Sequence, residues 1–256
     1  MSTSQRVLIT GGASGVGLAM AQRFDFRGDH VAICDVDPKA LAAISHRYPS
    51  WLCEVADVSN ETQITAFFEH VEQHWADRID VVCANAGTAG PAGRIDQLDY
   101  AAWRSCVEVN LFGAFLACRW AAKQFVKQKH GLILLTTSTS GLFGVPYRSP
   151  YVCAKWAMVG LTKSLAMELG EHGVRVNAIA PGAVEGERMA AVLRAEADAT
   201  GHSIDHLRET YAQGTSLRQW VKADDVAEMA LFLASPAAAR ITGQVLAVDG
   251  NTERMV

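Results

Sequence analysis

Short apolar runs rich in β-branched residues alternate along this chain with longer segments of helical period, and no other feature restricts its fold as much. The runs lie at 6–10, 30–35, 51–55, 79–84, 131–136, 175–180 and 245–248. Helical spacing of apolar residues occupies 16–27, 61–75, 100–129, 151–170 and 224–233, with two helices expected to meet near Asn110 and Asp224 expected as the last helix's N-cap. Strands separated by helices need crossover connections, so the expectation is an α/β fold with a seven-stranded parallel sheet covered on both faces. No repeat or Pro/Ser-rich linker interrupts the 256 residues, so 1–256 reads as one domain. Only 183–220 has patchy apolar spacing, and it reads as a substrate lid or as a surface helix pair.

Directly after the first run comes Thr10-Gly11-Gly12-Ala13-Ser14-Gly15-Val16-Gly17, opening a helix. Glycines there let the chain turn sharply and let a pyrophosphate approach backbone N–H groups at the positive end of the helix. The spacing is Gly-x-x-x-Gly-x-Gly, which matches the general dinucleotide fingerprint only in kind. The second run ends at Asp35, where a carboxylate can accept hydrogen bonds from both hydroxyls of an adenine ribose. A 2′-phosphate would place like charge beside that carboxylate, and neither Val36 nor Ala13 supplies a compensating cation. The expected cofactor is therefore NAD rather than NADP.

Tyr151 and Lys155 stand four apart at the start of a helical segment and project from one face. A free phenol has a pKa near ~10 and a general acid/base at neutral pH wants one nearer ~7, a gap of about 4 kcal/mol. An ammonium beside the phenol narrows it. By itself the pair recurs often by chance and reads first as a surface pair on a helix.

Taken together, these motifs resemble the non-extended short-chain dehydrogenase/reductases, which carry a Thr-Gly-x-x-x-Gly-x-Gly turn and a Tyr-x-x-x-Lys pair. The resemblance runs from residue 6 to about residue 250, with its motifs in family order and spacing. It implies a Rossmann-type doubly wound fold and gives roles to further residues. Asn85-Ala86-Gly87 would pack against the cofactor's ribose, Asp57-Val58 would contact adenine, and Pro181-Gly182 would wall the nicotinamide. Ser138 would orient substrate, and Asn110 would kink a helix and hold a water behind Lys155. Gly186 departs from the family, which often has a threonine there for the nicotinamide carboxamide, so backbone groups of Val184 or the lid must serve. A homotetramer is implied, with the helices around Asn110 and the helix after Tyr151 as contacts.

The resemblance implies an oxidoreductase moving hydride between a secondary alcohol or ketone and nicotinamide, with Asn110, Ser138, Tyr151 and Lys155 as catalytic machinery and with Tyr151 and Lys155 also at the cofactor, where Lys155 would contact the nicotinamide ribose. Arg148, near the substrate mouth, reads either as an anion contact or as a solvated surface residue, and Arg188 adds charge to the lid. Together with Ser138 they are the candidate substrate residues, favouring a polar polyol, sugar or small hydroxy acid. A 3-oxoacyl thioester reductase is the alternative enzyme, and a dinucleotide-binding redox sensor or scaffold the non-enzymatic one.

Charge and composition bound the partners. A net charge of −4 with scattered Lys and Arg provides no footprint for nucleic acid or an anionic membrane. No apolar stretch reaches the ~18 residues of a membrane span, and the first ten residues lack a signal-peptide pattern, so cytoplasm is expected. Six cysteines without a Cys-x-x-Cys pair read as buried free thiols. His70/His74 and His202/His206 have helical i, i+4 spacing but no evident third ligand, so no metal is expected.

Overall fold

All seven apolar runs form strands in the computed structural model, which describes residues 4–76 and 78–253, with only the backbone at 199 and 200. They are β1 (Arg6–Thr10), β2 (His30–Asp35), β3 (Leu52–Val55), β4 (Val81–Ala84), β5 (Gly131–Thr136), β6 (Val174–Pro181) and β7 (Val245–Val248). Every pairing is parallel, in the order β3-β2-β1-β4-β5-β6-β7. The order reverses between β1 and β4, which opens a crevice at their carboxyl ends, the usual ligand position in such sheets.

The helices are α1 (Gly15–Phe26), α2 (Pro38–Arg47), α3 (Glu61–His74), α4 (Tyr100–Val107), α5 (Gly113–Gln128), α6 (Ser149–Leu169), α7 (Glu187–Thr200), α8 (Ile204–Gln213) and α9 (Ala223–Ala234). Alternate strand residues feed opposite cores. Val7 and Ile9 pack with Phe24 of α1, Leu41 of α2 and Leu233 of α9. Leu8 joins Phe67 and Phe68 of α3, Phe125 of α5 and Met158 of α6 on the other face. Burial on both faces explains why the strands read as continuous apolar runs.

Several expectations need correction. The last helix starts at Ala223, one residue earlier than expected, and its N-cap is Lys222. Asp225, not Asp224, closes the turn by accepting the Lys222 N–H at 2.8 Å, while Asp224 reaches Arg23 at 3.4 Å. Trp51 lies outside β3 and stacks on Tyr48 with centroids 4.1 Å apart. Ile79 precedes β4, held at N–H and carbonyl by the Gln128 side chain. The α2 helix was not anticipated, although Asp37 caps Lys39 and Ala40 N–H groups and Pro38 opens the first turn.

Where two helices were expected to meet, a π-helical turn spans Glu108–Phe112 between α4 and α5. Segment 183–220 holds α7 and α8, tied by the Tyr211 hydroxyl donating to Glu196 at 3.0 Å, and a parallel bridge between Val184 and Val221 fastens its two roots. All six cysteines are free, yet only four are buried: Cys53 is half-buried and Cys153 is exposed. His70 Nδ1 lies 2.8 Å from Glu54, and the His202 and His206 rings sit 4.9 Å apart. Among the described residues no group of three His, Cys, Asp or Glu side chains is placed to hold a metal, and no helix is long and apolar enough to cross a membrane.

Candidate active site

The chain leaves β1 and enters α1 through Gly11 to Gly15. Gly11 has φ +65°, and a Cβ there would come 2.8 Å from the Ala86 Cα, so glycine lets this turn pass against the segment after β4. A Cβ on Gly17 would strike the Gly11 carbonyl oxygen, which locks the helix start against the turn. Ser14 caps α1 without a side-chain bond and the first turn carries no acidic residue. The N–H groups of Gly15, Val16 and Gly17 therefore face a site suited to an anion.

Asn85 staples this turn to the sheet. Its Nδ2 donates to the Thr10 and Gly11 carbonyls at 3.1 Å each, and its Oδ1 accepts from the Thr136 hydroxyl at 3.1 Å. The Thr10 hydroxyl oxygen accepts from the Asn85 and Ala86 N–H groups at 3.1 Å each. At the end of β2, Asp35 Oδ2 accepts from Ala13 N–H at 3.1 Å and Oδ1 from Asp37 N–H at 3.2 Å, which aims the carboxylate at the glycine turn. Asp57 Oδ1 accepts from Ser59 N–H and Oγ at 2.9 and 2.7 Å, while Val58 is buried against Gly113. Phosphate-sized backbone donors, a ribose-reaching carboxylate and a stapled turn together fit a dinucleotide.

Tyr151 enters α6 just after Pro150, whose fixed φ suits the first turn. The ring is 8% exposed and its surroundings are cationic. The Lys155 Nζ lies 5.6 Å from the ring centroid, and the guanidinium carbons of Arg148 and Arg188 lie 5.1 and 5.5 Å from it. Burial alone would push the phenol pKa up; Arg188, Lys155, a hydrogen bond with Ser138 and then Arg148 outweigh it and bring it down to about 8. Ser138 Oγ accepts from Ser140 N–H at 3.1 Å, which fixes the hydroxyl and leaves its proton free to be donated.

Lys155 is 2% exposed and donates to the Thr136 carbonyl at 2.8 Å. Burial lowers its pKa, against the pull of Tyr151 and with the push of Arg188, to about 8. Asn110, in the π-helical turn, donates from Nδ2 to the carbonyls of Thr88 and Cys106 at 3.0 and 2.9 Å. Its buried Oδ1 has no protein partner. A Cβ on Gly87 would sit 2.7 Å from that oxygen and 3.5 Å from Lys155 Nζ, so both atoms border one small space.

On the far side, Gly182 packs so closely on Asp249 that a Cβ would approach within 2.9 Å, which sets Pro181 and Gly182 at the rim of the crevice. Val221 N–H and carbonyl bond to Ala183 and Glu185, leaving the N–H and carbonyl of Val184 outside those bonds. Gly186 has φ +142° and caps α7, a conformation a β-branched threonine would adopt only with strain, which accounts for the departure from the family pattern.

Ser138, Arg148, Tyr151, Lys155 and Arg188 thus converge on one point. Sequence reasoning named Asn85-Ala86-Gly87 as a segment at the cofactor that supports the sheet, but not its bonds to Thr10 and Gly11, nor the Thr136 carbonyl that anchors Lys155. A main-chain acceptor leaves no trace in side-chain identity, whereas Thr10, just before the glycines, could have been flagged.

A parallel sheet with a glycine-rich turn at its switch point and a buried serine, tyrosine and lysine define an oxidoreductase of the nicotinamide type. A family model described as enoyl-(acyl carrier protein) reductase matches residues 11–251, and the chain belongs to the short-chain dehydrogenase/reductase family, whose members act on alcohols and ketones. It is 32% identical over 255 residues to levodione reductase of Leifsonia aquatica, covering 97% of this chain and 94% of that one. Sorbitol-6-phosphate 2-dehydrogenase of Klebsiella pneumoniae is 32% identical over 260 residues, covering 97% and 96%. A crystal structure of a single-substitution variant of actinorhodin polyketide ketoreductase with NADPH superposes with a TM-score of 0.92 at 31% identity, covering 98% of each chain.

Proposed function

We propose that this protein is an NAD-dependent dehydrogenase that interconverts a secondary alcohol and its ketone, with a polar polyol, sugar or small hydroxy acid as substrate. The observation that carries the reading is the buried Tyr151 phenol, surrounded by cations, with the Ser138 hydroxyl among the groups that lower its pKa. Gly11, Ser14, Gly15, Val16 and Gly17 would hold the pyrophosphate of a nicotinamide dinucleotide, Asp35 its adenine ribose, and Asn85, Ala86, Gly87, Tyr151 and Lys155 the segment near the nicotinamide ribose; the bound cofactor would accept the hydride. Asp57 and Val58 would border its adenine, and Pro181, Gly182 and Val184 its nicotinamide.

In the oxidising direction, Ser138 and Tyr151 hold the alcohol oxygen and Tyr151, as phenolate, takes its proton while the carbinol C–H bond breaks. Lys155 stabilises that phenolate. The orphan Asn110 Oδ1 and the Lys155 amine support a water between them that carries the proton onward. In the reducing direction Tyr151 donates its proton. Oxidation therefore rises as pH climbs through about 8, and reduction falls over the same range.

A catalytic reading is preferred to a redox sensor because a sensor has no use for a phenol tuned toward neutrality. NAD is preferred because Asp35 pairs with no cation among the described residues' ion pairs. A thioester reductase is the less favoured enzyme because the scattered Lys and Arg form no basic patch for an acyl carrier. The test is a screen for NAD reduction across polyols, aldoses and hydroxy acids. Steady NADH production supports the reading, and no turnover in either direction with any alcohol or ketone rejects it.

NAD is expected to be used with at least about tenfold higher kcat/KM than NADP, because the 2′-phosphate meets the Asp35 charge. Asp35→Asn should shrink that ratio. Equal use of both cofactors by the wild-type protein would refute the selectivity argument.

Assembly as a homotetramer is part of the proposal. Exposed Tyr100 on α4, Phe115 on α5, and Trp156 and Met167 on α6 support contacts through those helices. Light scattering should return four chain masses, whereas a monomer would reject this element. The six free thiols favour a reducing compartment such as the cytoplasm.

A further inference from the structure

Two arginines far apart in sequence bring their guanidiniums over the same ring. Arg148 stands just before α6 and Arg188 lies in the first turn of α7, yet their Cζ atoms are 5.1 and 5.5 Å from the Tyr151 centroid. Seven arginines find carboxylates, among them Arg27 with Asp29, Arg104 with Glu108 and Arg119 with Glu61, whereas Arg6, Arg47, Arg175, Arg194, Arg218 and Arg240 have no ion pair among the described residues, and none of those six is brought over the Tyr151 ring. Even Glu185, three residues before Arg188, is turned to Arg208 at 3.7 Å. Neither Arg148 nor Arg188 has an ion-pair partner among the described residues.

Arg148 uses Nη2 on the Ala89 carbonyl at 3.2 Å, but its Nε is buried and has no partner. A buried donor on a cation is costly when unmet. With the Lys155 amine, three cationic side chains face one buried phenol, and among the described residues no carboxylate forms an ion pair with either arginine. Guanidinium forks match the planar or tetrahedral oxygens of a carboxylate or phosphate, which would satisfy the open donors and the charge together.

We infer that Arg148 and Arg188 form a clamp for a terminal oxyanion, so that the alcohol oxidised at Tyr151 carries a carboxylate or phosphate a few bonds from its hydroxyl. This rests on the proposed dehydrogenase reading and deepens it by naming the substrate class. Ser138 and Tyr151 take the hydroxyl end, and the clamp takes the charged end. Because one prong comes from the body and the other from α7, anion binding also ties α7 to the site.

The test has a kinetic arm and a binding arm. For kinetics, 3-hydroxybutanoate, 2-hydroxypropyl phosphate and the uncharged 3-hydroxybutanamide are compared as substrates with NAD. The ratio of kcat/KM for an anion over that for the amide should be at least tenfold in the wild-type protein and should fall at least tenfold in Arg148→Gln and in Arg188→Gln. The better of carboxylate and phosphate identifies the group. Using a ratio cancels any change in Tyr151 ionisation, which would slow the anion and the amide alike. Arg188→Lys, which keeps the charge and loses the fork, should recover only part of the ratio. For binding, calorimetry on the NADH-loaded protein with the same three compounds should show an anion preference that both glutamine variants lose. Equal binding of anion and amide, or a preference the variants keep, overturns the clamp. Arginine-dependent anion binding without turnover of any alcohol would keep the clamp and reject the dehydrogenase reading.

Discussion

Replacing Tyr151 with Phe is expected to lower NAD-dependent alcohol oxidation by about 10³-fold or more, while NADH affinity changes less than about twofold. General acid/base groups contribute roughly 10²–10⁴-fold, and among the described residues no other tyrosine has its pKa brought down. The variant keeps the ring, which is 8% exposed and flanked by Lys155, Arg148 and Arg188, so packing and those cation contacts persist. The glycine turn and Asp35 do not touch the phenol oxygen, which is why cofactor binding should survive. Stopped-flow turnover paired with a fluorescence titration of NADH separates the two effects. Retained turnover would remove Tyr151 from the chemistry, and lost NADH binding would make the defect one of folding.

Lys155→Met is expected to be less damaging than Tyr151→Phe but still large at neutral pH, for a different reason. With the phenol brought down to about 8, roughly a tenth of it is ionised at pH 7; restoring it toward ~10 would cut that to about a thousandth. Arg188 and Arg148 remain, so the shift should be about one to two units, and the oxidation limb should move to higher pH by that amount. The neutral-pH rate should fall about tenfold to hundredfold from ionisation alone. Methionine fills the buried volume without the charge and leaves the Thr136 carbonyl without its donor, a cost that a melting curve would register. A pH profile that stays in place with a uniformly lower rate would contradict electrostatic tuning.

Much of the fold was legible because strand burial on both faces writes itself as continuous apolar runs, as in Val31 to Cys34 and Leu132 to Leu135. Tyr151, Lys155 and the glycine turn were legible for a related reason, since helical spacing and φ demands are local. The α2 helix was overlooked because only Leu41 and Ile44 are buried, too few for a convincing period, although Asp37 and Pro38 signal its start. Convergence of Arg148 and Arg188 could not be read from one dimension, because it depends on where β6 delivers α7 relative to α6. The role of Gly186 was also hidden: its φ of +142° belongs to the backbone, and the sequence showed only a missing threonine.

Tyr211, the other buried-edge phenol near this site, is held protonated by its own burial and by Glu196, so it does not compete in the neutral range. That separation makes a direct optical measurement decisive. The ultraviolet difference titration of tyrosinate, wild type minus Tyr151→Phe, should show one phenol ionising near pH 8. A difference spectrum in which that phenol ionises only at about pH 10 or above would contradict the claim that the surrounding cations ready Tyr151 for proton transfer.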